Sequence, residues 1–234
     1  MGRRSSPRRR CVEFAREWTS WKPFISLGGF WIGESGGGSD TYLYGLQAGS
    51  TLKLTDTISL TGGASVFKYD HIEGRGPVYD GEFFGNTSRL SVYHDPTSAL
   101  IYEEDFTEVE AFLEAGSKIG GVPVKVFGDY VQNVDASDND TGWLVGFGVG
   151  KCKDKGSWEL KYNYRDVEAD AVFGTFADSD LIGGGTDGRG HEIGAGYQLS
   201  KRAKLGLTYF VNERNRSTQA EDFERLQVDL NFKF

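Results

Sequence analysis

The sequence predicts an all-β fold: an antiparallel, up-and-down transmembrane β-barrel with about ten strands in this chain, alone or as part of a larger barrel. Three observations predict it. The chain ends Leu-Gln-Val-Asp-Leu-Asn-Phe-Lys-Phe over Leu226–Phe234, apolar at every second position, so a strand there has one greasy face and one wet face. Composition agrees, with 33 Gly, 14% aromatics, 5 Pro and 1 Met in 234 residues, the usage of strands and turns rather than helices. The connections, finally, sort into short and long in alternation. Mean hydropathy is −0.43, and no apolar run approaches the ~18 residues of a membrane helix. A barrel strand needs only ~9–11 residues of alternating character.

Each strand follows from the same test. Phe24–Gly33, opening near Lys22, and Val122–Gln132 read as strands with a less regular alternation of faces. Tyr42, Tyr44, Leu46, Ala48 and Leu52 share a face opposite Gln47, Thr51 and Lys53, and Ile58, Leu60, Ala64 and Val66 repeat the pattern. Val109, Ala111, Leu113 and Ala115 face away from Glu108, Glu110, Glu114 and Lys118. Trp143, Val145, Phe147 and Val149 alternate with Leu144, Gly146, Gly148 and Gly150. Trp158, Leu160, Tyr162 and Tyr164 alternate with Glu159, Lys161, Asn163 and Arg165. Ile193, Ala195, Tyr197 and Leu199 precede Leu205, Leu207, Tyr209 and Val211, where Phe210 breaks the alternation. The strand 222–234 closes the series.

Short turns are expected at Thr55-Asp56-Thr57, Gly120-Gly121, Asp154-Lys155-Gly156 and Ser200-Lys201-Arg202. Longer polar loops fall at Glu34–Asp40, Asp70–Asp105, Asn133–Asp140, Ala169–Gly190 and Glu213–Glu221. Short turns at one end and long loops at the other are the habit of membrane barrels. The strand count is even if Asp70–Asp105 is one loop, within which Phe84, Leu90 and Tyr93 form a short hairpin or fold inward.

Net charge is −8, although Arg3, Arg4, Arg8, Arg9 and Arg10 crowd the first ten residues; without those five the remainder carries −13. That balance argues against a nucleic-acid partner. Residues 1–21 are expected to be a disordered or aberrant N-terminal segment and 22–234 the barrel. Cys11 and Cys152 are the only cysteines, and neither has a metal-ligand neighbour at C-x-x-C spacing. The N-terminal arginines precede no apolar stretch, so no secretory signal is written in this chain.

Four separated segments, Gly120–Tyr130, Gly156–Tyr164, Gly183–Gly190 and Arg225–Phe234, resemble the C-terminal part of the bacterial "putative porin" family over roughly residues 22–234. The resemblance implies an outer-membrane barrel of a Gram-negative bacterium that passes small polar solutes or ions by passive diffusion. Members of the family carry a signal peptide and further strands ahead of this region, and Met1–Trp21 shows neither. The chain is therefore expected to be N-terminally truncated.

On this reading Glu110, Glu114, Lys118, Lys125, Asp129, Glu159, Lys161, Arg165, Lys204, Arg225 and Asp229 line the pore. Both charge signs occur, so a mild ionic preference at most is expected. Trp143, Trp158, Tyr164 and Phe234 lie toward strand ends, where aromatic girdles sit. Leu230, Phe232 and Phe234 form the insertion signal through which barrel-assembly machinery reads the last strand. Outer-membrane lipid and small polar solutes complete the partners, with self-association left open; no cofactor and no metal are expected.

Sharper motifs fail on spacing. Gly146-Phe-Gly-Val-Gly150-Lys151 lacks the phosphate-loop Gly, since Val145 stands there and Cys152 replaces the Ser/Thr. Gly183-Gly-Gly-Thr-Asp-Gly-Arg-Gly190 suits an external loop better than an anion cradle. Asp135, Asp138, Asn139 and Asp140 miss the EF-hand pattern because Gly142 comes too early. His71, His94 and His191 show no triad order and no metal spacing, so no enzyme activity is expected. Two alternatives stay open. One is an outer-membrane barrel enzyme with an external site, which clustering of those histidines with acids would favour. The other is a soluble ligand-binding barrel with an apolar interior.

Overall fold

The computed structural model describes residues 20–34, 39–91 and 100–233. Cys11, Tyr93, His94 and Phe234 lie outside the described residues, as does most of the 1–21 segment. The strands are β1 (Trp21–Gly33), β2 (Thr41–Lys53), β3 (Ser59–Asp70), β4 (Ser88–Leu90), β5 (Leu100–Tyr102), β6 (Phe106–Ile119), β7 (Val122–Asn133), β8 (Thr141–Gly150), β9 (Trp158–Val167), β10 (Gly188–Gln198), β11 (Ala203–Arg214) and β12 (Glu221–Phe232). Helix among the described residues is limited to one 3₁₀ turn, Gly174–Phe176.

Ten strands form one antiparallel meander in the order β1-β2-β3-β6-β7-β8-β9-β10-β11-β12. The strand number thus matches the expectation, and β4 with β5 is the short hairpin inside the 70–105 segment. Closure does not. Neither β1 nor β12 pairs with a second neighbour in the sheet, so the sheet is open and the closed barrel predicted from sequence is not formed here.

Register assigns every side chain to a face. Ile25 and Leu27 on β1, Leu46 on β2, Val66 on β3, Leu113 on β6 and Val126 on β7 fall on one face. Phe147, Leu160, Ile193, Leu207 and Val228 continue it across β8–β12. All of these residues are exposed, Leu27 at 78% and Val228 at 64%. The tight turn between β6 and β7 needs positive φ at both central residues, and Gly120 and Gly121 supply φ of 59° and 83°.

The hydrophobic core lies elsewhere and is small. Tyr69, Ile72, Tyr102, Phe106 and Phe173 form it, with Ile32, Leu43, Phe67, Val78 and Phe83 packed around. Tyr69 and Phe106 belong to the opposite face of the sheet; Ile72, Tyr102 and Phe173 come from the loops. Tyr69 and Phe173 approach to 4.9 Å between ring centroids, and Phe83 meets Tyr102 edge-on at 4.7 Å. Both long loops therefore fold over the polar face at the long-loop end, rather than standing away from the sheet.

Candidate functional site

The polar face carries all eleven charged residues singled out from the sequence. Glu110, Glu114 and Lys118 alternate along β6, and Lys125 and Asp129 sit opposite on β7. Glu159, Lys161 and Arg165 alternate along β9, while Lys204 on β11 and Arg225 and Asp229 on β12 occupy the same face.

Opposite charges are mostly tied together. Lys125 Nζ lies 2.7 Å from Glu114 Oε2, and Lys204 donates to Glu159, whose other oxygen accepts the Cys152 N–H at 3.1 Å. Arg165 bridges Asp178 at 2.8 Å and Glu192 at 3.1 Å, and Asn163 donates to the same Glu192 at 2.8 Å. Arg225 reaches Asp180 at 3.1 Å and the Ser179 carbonyl at 3.2 Å. These arginines pin the 168–187 loop to the wall formed by β9–β12.

Lys118, Lys161, Asp229, Glu110 and Asp129 make no ion pair among the described residues, and the last of these stands diagonally across from Glu110 on β6 and β7. Ser65 donates to Glu110 at 2.5 Å and Gln47 donates to Ser65 at 3.1 Å, so a polar line crosses β2, β3, β6 and β7.

The loops carry residues that the sequence reading did not single out. Asn86, only 6% exposed, donates to the carbonyls of Ala169 (2.7 Å) and Val172 (2.9 Å) and accepts the Gly174 N–H (2.8 Å). Thr87 gives its N–H and hydroxyl to the two oxygens of Asp170, at 2.9 and 2.7 Å. Thr186 N–H binds the Phe84 carbonyl at 2.9 Å, and buried Glu108 accepts the Phe173 N–H at 2.7 Å. Asn133 fastens the start of β6, accepting from Thr107 and donating to the Asp105 carbonyl. Together these bonds make the two loops one body.

The two histidines among the described residues, His71 and His191, do not assemble. His191 lies on the apolar face with Nδ1 2.9 Å from the Tyr162 hydroxyl, and His71 sits in a loop with Nδ1 3.5 Å from Asp70. No group of three or more potential metal ligands occurs among the described residues. Leu230 and Phe232 of the C-terminal signal are exposed on the apolar face, at 54% and 60%. Trp143 and Tyr164 pair there at 5.3 Å, as do Trp31 and Tyr42 at 6.3 Å, near the long-loop end; Trp158 marks the short-turn end of β9.

Cys152 lies in the β8–β9 turn, half-buried, with its thiol toward the Ser157 carbonyl. Burial pushes this thiol above its ordinary value, the Glu159 charge adds to the effect, and Lys204 and Lys161 oppose it. In a Cys11→Ser background, Cys152 should therefore react with a maleimide more slowly at neutral pH than a free peptide thiol. Its rate should climb only above pH ~8.5, the ordinary thiol range. Glu159→Gln should speed it, because one charge disappears and Lys204 is released; a rate–pH curve superimposed on that of the free thiol would contradict this placement.

The family model described as "Putative porin" matches residues 85–234. No curated protein matches the chain.

Proposed function

Since the chain belongs to the "Putative porin" family, we propose that it is a channel of the Gram-negative outer membrane that passes small polar solutes and ions by passive diffusion. The observation that carries the proposal is the pairing of two faces on one sheet. A face of exposed Leu, Val, Ile, Phe and Trp spans all ten strands, far beyond the few hundred Å² of contiguous apolar surface usual on water-soluble monomers. Hydrocarbon is the solvent that face fits.

The opposite face then lines water. In lipid every backbone N–H and C=O must be paired internally, so both edges of the sheet close. With an even number of strands in the meander, β1 and β12 run antiparallel with their short-turn ends level. They can pair with each other, or with further strands added between them in even number. Glu110, Glu114, Lys118, Lys125, Asp129, Glu159, Lys161, Arg165, Lys204, Arg225 and Asp229 line the passage in this reading. The fused loops 71–105 and 168–187 narrow its mouth. Because six of the eleven lining charges are held in ion pairs, selectivity is mild; Glu110, Asp129 and Asp229 exceed Lys118 and Lys161 by one among those not paired, which tilts it slightly toward cations. Leu230, Phe232 and Phe234 serve assembly machinery as the mark of the last strand.

Planar-bilayer recording after refolding the chain into detergent tests the proposal. Discrete ohmic steps are expected, with a reversal potential under a KCl gradient that reports weak cation preference. A chain that inserts without ever conducting, or that stays soluble without detergent, would overturn it.

A further inference from the structure

We infer that the wall formed by β1, β2 and β3 holds a binding site for a neutral sugar unit, a substrate-class assignment that rests on the channel reading above. Charged residues dominate the rest of the polar face, but here they give way to aromatic ones. Phe30, Leu43, Gln47 and Phe67, with Ser26 and Gly45, line a cavity of about 250 Å³, a little under the ~300–1,000 Å³ that takes a drug-sized ligand. One sugar ring is of that order.

Two aromatic rings line it. Phe30 is 61% exposed although it sits on the polar side of the sheet. The Phe67 ring lies across the neighbouring strand at Gly45, where a Cβ would come within 3.1 Å of it. The glycine lets the ring lie down on the sheet instead of standing up from it. Covering strand backbone and packing against the loop core account for Phe67; neither accounts for Phe30, which stays exposed beside the cavity it lines. The same arrangement recurs next door, where Phe24 and Phe112 stack at 6.4 Å over Gly49 and Gly63. Aromatic surface therefore continues along the wall from β1 to β6.

The polar groups select the ligand. Gln47 spends one amide hydrogen on Ser65, and its carbonyl oxygen and second hydrogen make no other bond among the described residues. Beyond Ser65 stands Glu110, held at 2.5 Å. No charged side chain lines the cavity itself. An anion would meet the field of Glu110 and Asp129, and a purely apolar solute would strip water from Gln47 and Ser26 without replacing its hydrogen bonds. A pyranose ring answers both demands: its C–H face lies on phenyl, and its rim of hydroxyls meets amide, hydroxyl and carboxylate.

The test adds maltotriose to open wild-type channels in a bilayer, and titrates the detergent-folded chain with the same sugar by calorimetry. Reversible, saturable current block is expected, with half-block raised about tenfold in Phe30→Ala/Phe67→Ala. The Phe30→Leu/Phe67→Leu pair keeps apolar bulk while removing the aromatic faces, and should weaken block similarly. Steps without block or heat would overturn the sugar site and leave the channel standing. Heat without steps would support the sugar site while the channel reading fails. Block of equal strength in all variants, or matched by a polyethylene glycol of the same size, would mean sieving by the pore and would overturn the site.

Discussion

Gly185→Ala should separate the two long loops and raise single-channel conductance severalfold, while the strands stay paired. Gly185 adopts φ of 90°, a left-handed conformation that costs a residue with a Cβ about 1–2 kcal/mol. The larger obstacle is contact. A Cβ at 185 would collide with the carbonyl oxygen of Phe84, the same oxygen that accepts the Thr186 N–H. Neither partner can yield, because both are backbone. Asn86 and Thr87 follow two and three residues on, so displacing Phe84 also breaks their bonds to Ala169, Val172, Gly174 and Asp170. Gly184→Ala is the control: φ there is 111°, yet the nearest atom to its Cβ would be 3.9 Å away. Strain is shared by the two variants and the collision is not. Single-channel recording reads the mouth, and limited proteolysis between 71 and 91 reads the release of the loops. If proteolysis shows them freed in Gly185→Ala and conductance does not move, the loops do not narrow the passage.

The strands and their facing were legible because period-2 alternation is a local signal that each segment carries by itself. Its reach ended where the outward positions turn polar. β3 runs on to Asp70 through Lys68, and β11 runs to Arg214 through Glu213. Backbone pairing continues at these ends although the apolar stripe has stopped, as it would where a strand leaves hydrocarbon for the headgroup region. The fused loops were not legible. Asn86 finds its partners 83 to 88 residues away, and no local pattern marks such a contact. The aromatic wall failed for another reason. Polarity was the criterion for facing, so Phe24, Phe30, Phe67, Phe112 and Phe127 could not be placed on the wet side. For all but Phe30 the signal is an aromatic opposite a glycine, such as Phe24 with Gly49 or Phe127 with Gly146, and it becomes visible only once the register is known. Closure is the least local feature, since it depends on the first and last strands meeting.

Leu160→Arg should destabilise the folded chain in phospholipid vesicles by about 1–3 kcal/mol, whereas Leu144→Arg should change stability by no more than about 0.5–1 kcal/mol. The two substitutions are the same chemistry on opposite faces of neighbouring strands. Leu160 is 49% exposed on the apolar face, between Val149 and Ala195 across its two neighbours. An Arg there has no acid within its register row and would have to snorkel out of hydrocarbon toward the short-turn end that Trp158 marks. Leu144 lies on the polar face, level with Asp129 on one side and Arg165 on the other. An Arg at 144 gains Asp129 as a partner in water, and its charge should shift the channel from weak cation toward anion preference. Urea titration of vesicle-folded protein measures the first effect and the reversal potential measures the second. A soluble barrel would behave in the opposite way. Replacing an apolar side chain that already faces water, as Leu160 would, is neutral or favourable, and an Arg at 144 would be driven into that protein's interior at several kcal/mol. Which of the two leucines resists the charge therefore decides which face of the sheet meets the apolar solvent.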